Sequence, residues 1–448
     1  MENKIFRTMS LVIAVLLLLG LGITGREVHA QEPMLHIVNT TEDLRDFALN
    51  GVCSAGSANQ GRCSLRAAIF EASYDIYEPV VIQVPPGVYK LTLTEPSFEG
   101  EPEDHYGDLD FPDIAVGSSD ITIIGTGDWD NPSVIDANFI DRVMQIGERQ
   151  KIRLENLVLK NGLPMSDDDR RGGGLKIFNA TVTLNHVRLT NNEALETSTY
   201  AANGGGIFSY NSRLSLLNCE LDHNKADDGS AYAGGFDYDT TVIRASTIHH
   251  NTVNFELRSH IIPGNNMLII NSTISDNQGG RYNIQTCEGK SITIQNSTII
   301  SRGKLAIINS QSGNLALLFN ILQVIPTPGV ESGKVCYLSE GNEPSHGGNI
   351  FSDDSCGPTA ADEVISYSDM LLGPVANYGG WTPTIPLRPG SPAVNFGSGV
   401  CPGLYFGSQP LKKDQRGKDR DDGRCDSGSF ELQSGEIPTV VYLPLIAK

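Results

Sequence analysis

A nine-residue pattern recurs six times between Leu154 and Arg302, and the interval between its copies constrains the fold more than any other feature of the chain. The copies read LENLVLKNG, LNHVRLTNN, LLNCELDHN, IRASTIHHN, IINSTISDN and IQNSTIISR. Their third residues lie 30, 32, 27, 26 and 25 positions apart, and Asn320 follows after 24 more; these residues are Asn156, His186, Asn218, Ala245, Asn271 and Asn296. Repeats of about 20 to 50 residues are typical of solenoids, in which each repeat is one turn of the chain.

Each copy alternates apolar and polar residues over a short run rich in β-branched side chains, which indicates strands and excludes helix-pair repeats. One coil cannot bury its own apolar face, whereas coils stacked about 4.8 Å apart pair their backbones with the coils above and below. The sequence therefore predicts an all-β parallel β-helix. We expect the third-position amides to hydrogen-bond to identical amides in the next coil, and we expect glycine clusters before the copies to mark corners.

The first residues predict export. Lys4 and Arg7 precede an apolar run at 11–19, and Val28, His29 and Ala30 resemble a signal-peptidase site, so residues 1–30 are expected to be a signal peptide. The run is short for a membrane span, so no transmembrane helix is expected in the mature chain, although a retained anchor is the alternative. The protein is expected to be secreted, extracellular or attached to the cell surface.

Eight cysteines at close local spacings favour an oxidising compartment. The spacing predicts three disulfides that close short loops: Cys53 with Cys63, Cys336 with Cys356, and Cys401 with Cys425. Cys219 and Cys287 remain, with buried thiols as one interpretation. A net charge of −20 and a pI near 4.8 disfavour nucleic acid as a partner, because phosphate binding requires clustered Lys and Arg.

Residues 31–93 are predicted to cap the first coil and to include the first strands, since an uncovered end of a stacked sheet would invite association. Ser64 is a plausible N-cap of a short helix, and Leu65, Ala68, Ile69 and Ala72 fall on one face of it. We interpret this helix as a lid rather than as a functional site. Coils are predicted over 94–330, and further coils with a loop-rich cap over 331–432.

Two motifs resemble known families. The sequence CSLRAAI from Cys63 resembles the CSLREA-type motif of secreted bacterial right-handed parallel β-helix proteins, with Ala67 where that motif has glutamate. The segments LGP from Leu372, NYGG from Asn377, LRPGSPA from Leu387, DQRG from Asp414 and CDSGSFE from Cys425 resemble the carboxy-terminal region of choice-of-anchor Q surface proteins. The resemblance implies a right-handed β-helix of the pectate-lyase-like superfold, displayed at the cell surface. It implies no known reaction.

The tail at 433–448 is separated from the body by Ser434, Gly435 and Glu436, and its last nine residues are short and apolar. Similar tails close exported proteins of filamentous Chloroflexi-type bacteria, which suggests a sorting or anchor signal. An edge strand on the last coil is the alternative.

A candidate ligand surface comes from the strands that follow three glycine corners. Alternation points their second and fourth residues outward, which predicts two columns: Lys176, Phe208 and Asp237, and beside it Phe178, Tyr210 and Asp239. Rings beside carboxylates suit sugars. Asp237 and Asp239 would lie about 6.6 Å apart, near the lower end for inverting glycosidases, and are the candidate catalytic residues; the favoured interpretation of these carboxylates is solubilisation.

Metal sites are less clearly indicated. Asp167, Asp168 and Asp169 are candidate ligands of a structural Ca²⁺ ion, with a solvated loop as the favoured alternative. The aspartates at 414–426 are interpreted as a charged turn closed by Cys401 and Cys425. His249 and His250 are expected on opposite faces of a strand and therefore make a poor metal pair. No other cofactor is predicted.

Three function classes remain open. The first, which we favour, is an exported binding or structural β-helix that engages a polysaccharide or another cell-surface glycan. The second is a polysaccharide lyase or glycoside hydrolase whose catalytic residues lie in the loops at 95–113 or 165–171, because the Ca²⁺ and arginine pattern of pectate lyases and the clustered aspartates of polygalacturonases are not recognisable. The third is an architectural stalk. The sequence does not fix the oligomeric state.

Overall fold

The computed structural model describes residues 32–46, 48–54, 61–94, 106–165, 169–195, 202–235, 239–286, 289–303, 305–310, 313–329, 332–339, 343–397, 399, 401–403, 410–420 and 423–439. The predicted signal peptide at 1–30 and the apolar tail at 440–448 lie outside these residues, as does Cys287. No helix within the described ranges is long and apolar enough to cross a membrane.

The predicted lid helix, α1, spans Leu65–Ser73. It begins at Ser64, whose hydroxyl accepts a hydrogen bond from the Ala67 N–H at 3.1 Å, because an N-cap side chain satisfies an amide that has no partner inside the helix. The predicted apolar face is buried against the first coils. Arg66 is also buried, forms an ion pair with Asp43 at 2.8 Å and donates to the carbonyls of Gly107 and Asp108. The helix is therefore tied to the coil by charge as well as by apolar packing.

Short strands are the main regular elements in the rest of the described chain. In chain order they are β1 Met34–Ile37, β2 Val80–Val84, β3 Gly87–Lys90, β4 Leu109–Phe111, β5 Ile121–Gly125, β6 Ser133–Asp136, β7 Met144–Ile146, β8 Lys151–Lys160, β9 Leu175–Phe178, β10 Thr181–Thr190, β11 Glu193–Ala194, β12 Ile207–Tyr210, β13 Arg213–Leu217, β14 Glu220–Asp222, β15 Lys225–Ala226, β16 Tyr232–Gly234, β17 Thr240–Arg244, β18 Thr247–His249, β19 Thr252–Val253, β20 Ser259–Ile262, β21 Asn266–Ile270, β22 Thr273–Ser275, β23 Gln278–Gly279, β24 Tyr282–Gln285, β25 Ser291–Gln295, β26 Thr298–Arg302, β27 Ala306–Ser310, β28 Asn314–Leu318, β29 Ile321–Ile325, β30 Cys336–Leu338, β31 Ile350–Phe351 and β32 Glu363–Val364. A 3₁₀ helix follows at Tyr367–Asp369.

These strands pair in parallel with the equivalent strands of the neighbouring coils and form three sheets. Sheet 1 contains the strands of the nine-residue pattern, sheet 2 runs β4, β7, β9, β12, β16, β20, β24, β27 and β30, and sheet 3 runs β11, β15, β19 and β23. The first residue of every copy pairs with the first residue of the next and is fully buried: Leu154, Leu184, Leu216, Ile243, Ile269 and Ile294. The predicted parallel β-helix is confirmed, because the repeated apolar positions superimpose along one core.

A left-handed corner bends every copy at its third residue, and a second one bends the first five copies at the eighth residue. The third residues have φ between 45° and 56°, and the eighth residues Asn161, Asn191, His223, His250 and Asp276 have φ between 54° and 60°. Asn, Asp and His tolerate this region better than most residues, which explains why they recur there, with Ala245 as the exception. A short strand lies between the two corners. The residue at the sixth position of the copy is buried in the core, and the residues at the fifth and seventh positions face away from it.

The amide ladder lies at the ninth position rather than at the predicted third. Asn192, Asn224, Asn251 and Asn277 are buried, and each of the first three donates to the Oδ1 of the next at 3.0 or 3.1 Å. The third-position prediction is wrong because the left-handed corner turns that side chain away from the coil interior. The Asn271 amide instead donates to the Lys413 carbonyl at 2.6 Å. The seventh copy is also displaced by one residue, since Phe319, not Asn320, has the corner φ of 54°.

The carboxy-terminal region packs along the side of the coils, a placement that the sequence did not predict. Thr382 donates to the Ala245 carbonyl at 3.1 Å, Gln295 donates to the Pro402 carbonyl at 2.6 Å, and Ser429 N donates to Thr298 Oγ1 at 3.0 Å. Disulfides join Cys53 to Cys63, Cys336 to Cys356 and Cys401 to Cys425, the three pairs that the spacing predicts. Cys219 is a buried free thiol.

Candidate functional site

The outward residues of three successive short strands bring opposite charges together. Parallel pairing places Arg188 of β10 beside Glu220 of β14, and it places Asp222 of β14 beside His249 of β18. The four side chains therefore come from the fifth and seventh positions of copies two to four. The repeat that builds the core also places this cluster on one sheet face.

Asp222 organises the cluster. Its side chain is fully buried, and Arg188 donates to both of its oxygens, at 2.8 and 2.7 Å. Thr190 Oγ1 donates to the same carboxylate at 3.0 Å, and His223 Nδ1 lies 2.6 Å from it. Burial alone would raise the pKa of Asp222, but the hydrogen bonds from Arg188 and His223 hold that pKa well below its ordinary value. Asp222 is therefore ionised and fixes the guanidinium in place.

Three histidines extend the cluster. His249 Nε2 lies 2.9 Å from Glu220 Oε1, and His249 Nδ1 lies 2.6 Å from His250 Nδ1, so only one of those two Nδ1 atoms can carry a proton. The His223 and His250 rings stack with centroids 5.3 Å apart. The environments of His223 and His250 differ, and they shift the pKa values of the two rings in opposite directions.

The hydrogen bond to Asp222 raises the pKa of His223, whose side chain is 54% exposed. Burial, followed by the neighbouring His249, lowers the pKa of His250. His223 therefore holds a proton more readily than His250 and offers it toward solvent. The expectation that His249 and His250 face opposite sides of a strand is wrong, because the strand ends at His249 and His250 has a left-handed φ of 54°.

A groove lined by two tryptophans lies against this cluster. Trp129 and Trp381 are the only tryptophans in the 448-residue sequence, and their ring centroids are 5.9 Å apart. Leu157, Val158 and Val187 form the apolar floor, and Arg188 and Glu220 also line the groove. The two tryptophans remain 38% and 46% exposed, so part of each side chain is open to a ligand.

The carboxy-terminal region positions Trp381. Thr382 is anchored to the Ala245 carbonyl, and Gln415 Nε2 donates to Thr382 Oγ1 at 2.9 Å. The Trp381 ring also packs on the His186 ring with centroids 3.9 Å apart. Burial lowers the pKa of His186, which favours the neutral imidazole in this contact. Trp129 comes from the turn between β5 and β6, so the two walls come from opposite parts of the chain.

The cluster suits proton transfer better than metal binding. Glu220, Asp222 and His249 offer ligand atoms within 4.8 Å of one another, and they are the one such set found among the described residues. However, Arg188 occupies both oxygens of Asp222 and lies 3.8 Å from Glu220, so a cation is already present. A hydrogen-bonded acid and imidazole pair beside His223, an imidazole whose pKa is raised by Asp222, can donate and accept protons.

The predicted columns on sheet 2 are confirmed for two coils. Phe208 pairs with Lys176 and Tyr210 pairs with Phe178, and the last two rings stack with centroids 5.1 Å apart. Lys176 donates to Gln145 Oε1 at 2.8 Å and forms an ion pair with Asp169. The Arg171 guanidinium lies 4.9 Å from the centre of the Phe208 ring.

The third coil departs from the predicted columns. Phe208 pairs with Ala233. The corner that follows is two residues longer than in the preceding coil, because five residues lie between Gly234 and Thr240 and three between their partners Ser209 and Arg213. Asp239 is fully buried, and it accepts hydrogen bonds from the Ser212 N–H and from Ser209 Oγ. The prediction that Asp239 faces outward is therefore wrong, and its carboxylate supports a corner. Asp237 lies outside the described residues.

The candidate calcium ligands are divided. Asp169 is engaged by Arg171 at 2.9 Å and by Lys176, so two cations already neutralise it; Asp167 and Asp168 lie outside the described residues. Farther along, Asp414 forms an ion pair with Arg416 at 2.9 Å, and both side chains are fully buried. This part of the predicted charged turn is an internal support of the carboxy-terminal region.

Arg188, Glu220 and Asp222 were not among the predicted site residues. The predicted columns come from the strands that follow the glycine corners, whereas these three residues lie at the fifth and seventh positions of the repeat. Aligning those positions would have placed the charges in two adjacent columns, Arg188 with Glu220 and Asp222 with His249. No local signal connects Trp129 with Trp381, since only the packing of the carboxy-terminal region brings them together.

No protein-family model and no curated protein sequence matches the chain. Among solved structures, the crystal structure of Escherichia coli YbhC is similar at 15% identity, covering 70% of this chain and 81% of that chain with a TM-score of 0.25. The fold therefore rests on the strand pairing of this chain itself.

Proposed function

We propose that this protein is an exported β-helix that binds carbohydrate in the groove between Trp129 and Trp381. The observation that carries the proposal is the meeting of the two tryptophans over an apolar floor, beside the charges of Arg188 and Glu220. Indole faces cover the apolar faces of pyranose rings, and charged groups at the edge bind sugar hydroxyls. The residues that line the groove come from several successive coils, which suits an extended chain such as a polysaccharide lying along the surface.

Export is part of the proposal. Three disulfides support an oxidising compartment outside the cytosol. The amino-terminal signal-peptide pattern and the resemblance of the carboxy-terminal region to choice-of-anchor Q proteins favour the cell surface. The stacked rings of Phe178 and Tyr210, with Lys176 and Phe208 beside them, offer a further contact area for the same class of ligand.

Intrinsic fluorescence tests the groove directly, because both tryptophans of the chain line it. Titration of residues 31–439 with cellohexaose, chitohexaose and hexagalacturonate should shift or quench the emission for at least one of them. Trp381→Ala should weaken that binding about tenfold, since a stacked ring contributes on the order of 1 kcal/mol. Tyr77→Ala, which removes an aromatic ring that is 88% exposed elsewhere, is the matched control. A binding constant unchanged in Trp381→Ala would refute the groove, and the absence of any glycan binding would favour the architectural stalk.

Cleavage of the bound polysaccharide is a second candidate function, and the cluster at Glu220, Asp222, His223 and His249 favours it. His223 can donate a proton to a leaving oxygen, while Glu220 and His249 share a hydrogen bond suited to a base. Ultraviolet absorbance of unsaturated uronates detects a lyase, and new reducing ends detect a hydrolase. Activity that survives in both Glu220→Gln and His223→Gln would exclude this cluster.

A further inference from the structure

A second polar pocket lies on sheet 2, away from the tryptophan groove. It joins described parts of the two loops at 95–113 and 165–171, and its lining includes Tyr106, Asp108, Asp110, Arg142, Asp169 and Lys176. Strand register explains its position: Asp110 of β4 pairs with Gln145 of β7, which pairs with Lys176 of β9. The pocket therefore continues the column that leads to Phe208.

Most charges in this pocket already have partners. Arg142 Nη1 lies 3.2 Å from Asp108 Oδ2, and Lys176 forms an ion pair with Asp169. Arg142 Nη2 donates to the Asp169 carbonyl at 3.1 Å, which holds the two sides of the pocket together. Asp110 forms no ion pair with another described residue, and its side chain is hydrogen-bonded to that of Asp108.

Two buried polar atoms in the pocket have no hydrogen-bond partner among the described residues: Asp110 Oδ1 and Arg142 Nε. Arg142 is only 7% exposed, and no described residue satisfies its Nε. An unsatisfied buried polar group costs about 1–3 kcal/mol, so a ligand that supplied both partners would remove that cost. Burial and the adjacent Asp108 raise the pKa of Asp110, so this carboxyl group is poised to share a proton.

The unmatched acceptor and donor define the ligand. A metal ion would leave Arg142 Nε unmatched, and the Asp108 and Asp110 carboxylates are not part of the one described set of ligand atoms that converges within 4.8 Å. An anionic sugar would meet the carboxylates of Asp108, Asp110 and Asp169. A hydroxyl group both donates and accepts, and a neutral sugar carries several of them at fixed spacing.

We propose that this pocket is a second carbohydrate subsite for a neutral sugar, in which Asp110 Oδ1 accepts a hydrogen bond from one hydroxyl group and Arg142 Nε donates to another. The choice of ligand class rests on the proposed function, whereas the residues and the sheet are different. The groove lies on sheet 1 and the pocket on sheet 2 of the same β-helix, so the two sites can hold separate segments of polysaccharide.

Calorimetry and fluorescence distinguish the two sites, because tryptophan emission reports the groove alone. The test uses cellohexaose and chitohexaose, with hexagalacturonate as the anionic comparison, on the Trp129→Ala/Trp381→Ala double variant. This variant should retain calorimetric binding of a neutral hexasaccharide, and adding Asp110→Asn should weaken that binding at least tenfold. Asp110→Asn keeps the shape of the side chain and removes a charge beside Asp108, so the variant is expected to fold. Asp120→Ala, which removes an exposed carboxylate on sheet 1, is the matched control.

Each outcome decides between the two proposals. Loss of all binding in the tryptophan double variant, with fluorescence-detected binding in the parent protein, overturns the pocket and leaves the groove. Calorimetric binding without any emission change, abolished by Asp110→Asn, supports the pocket and overturns the groove. Binding of none of the three hexasaccharides overturns both, and a preference of the double variant for hexagalacturonate overturns the neutral-sugar assignment.

Discussion

Two stretches of one sheet face use the same repeat positions for opposite purposes. In the open stretch, these positions hold charged or titratable side chains, of which Arg188 and Glu220 line the groove, with Asp222 and His249 beside them. In the covered stretch, Thr247, Thr273 and Thr298 occupy the fifth position of the following copies and are fully or almost fully buried. Register runs unbroken from one stretch to the other, so backbone geometry does not cause the difference.

The difference in side-chain type between the two stretches is caused by what covers each of them. The Gln415 side chain inserts above the covered stretch, where its Nε2 donates to Thr247 Oγ1 at 2.8 Å and its Oε1 accepts from Thr273 Oγ1 at 2.6 Å. Short hydroxyl side chains can satisfy a buried amide without the cost of burying a charge. Side-chain type at these positions therefore follows whether the carboxy-terminal region covers the coil, and the uncovered coils can carry function.

The largest effect is expected in the open stretch, from Asp222→Ala. Removing this buried carboxylate leaves Arg188 and His223 without their partner, which should lower the free energy of unfolding by about 3 kcal/mol. Urea denaturation measures the loss. The control is Asp120→Ala, whose ion pair with Lys151 is solvent-exposed and should contribute less than about 0.5 kcal/mol. Equal losses in the two variants would show that the open stretch is no more than a solvated surface.

The covered stretch should respond almost as strongly to Gln415→Ala. The substitution leaves Thr247, Thr273 and Thr382 without shared hydrogen bonds inside a buried network, and a loss of about 2–3 kcal/mol is expected. The exposed Gln278→Ala serves as the control in the denaturation experiment, with a change below about 0.5 kcal/mol. A loss no greater than that of the control would contradict the packing of the carboxy-terminal region over these coils.

A smaller effect tests the fifth position by itself. Thr273→Val removes a buried hydroxyl that contacts Thr384 and Ser429 as well as Gln415, and it should cost about 1–2 kcal/mol in the free energy of unfolding. Val158→Thr, the reverse change at the same repeat position beside the groove, should alter stability by less than about 0.5 kcal/mol. If both changes cost the same, the position itself and not its cover sets the preference.

The smallest effect is a pH dependence confined to the open stretch. Because the hydrogen bond to Asp222 raises the folded-state pKa of His223, the pair stabilises the protein fully below the ordinary histidine pKa of 6.5. It loses that contribution as the pH rises through the raised pKa. The stability difference between the parent protein and His223→Gln should therefore shrink as denaturation is moved from about pH 5.5 to about pH 8.5. Since His223 is half exposed, the change should stay below about 1 kcal/mol. If the stability difference between the two proteins instead grows with pH, Asp222 is not the group that sets the pKa of His223.

The repeat predicts the fold because its information is periodic. Leu154, Leu216 and Ile269 reveal the inward face by their spacing alone, and Ser64 identifies the start of α1 by its residue type. The corners are harder to predict from the sequence, because asparagine occurs at both the third and the ninth positions of the repeat. Only the left-handed φ shows that the third position turns away from the coil interior, whereas Asn224 and Asn251 at the ninth position form the buried ladder. An alternation pattern does not reveal which side of a bend a side chain occupies.

The candidate sites were harder to predict for a different reason. The alignment of Lys176 with Phe208 was predicted correctly because the corners after β9 and β12 both contain two residues. The same alignment failed for Asp239 because the next corner contains two extra residues. Trp381 reaches Trp129 through the packing of a segment without repeats, which no periodic signal encodes. Sequence thus predicts what neighbouring coils share, and the tertiary structure decides what distant segments bring together.

The position of Trp381 has a consequence for the order in which the groove forms. Trp129 belongs to an early turn of the β-helix, whereas Trp381 belongs to the carboxy-terminal region that docks on later coils. Detachment of that region would leave Trp129 in place and remove the opposite wall, so the proposed sugar site exists only once both ends of the described chain have folded together.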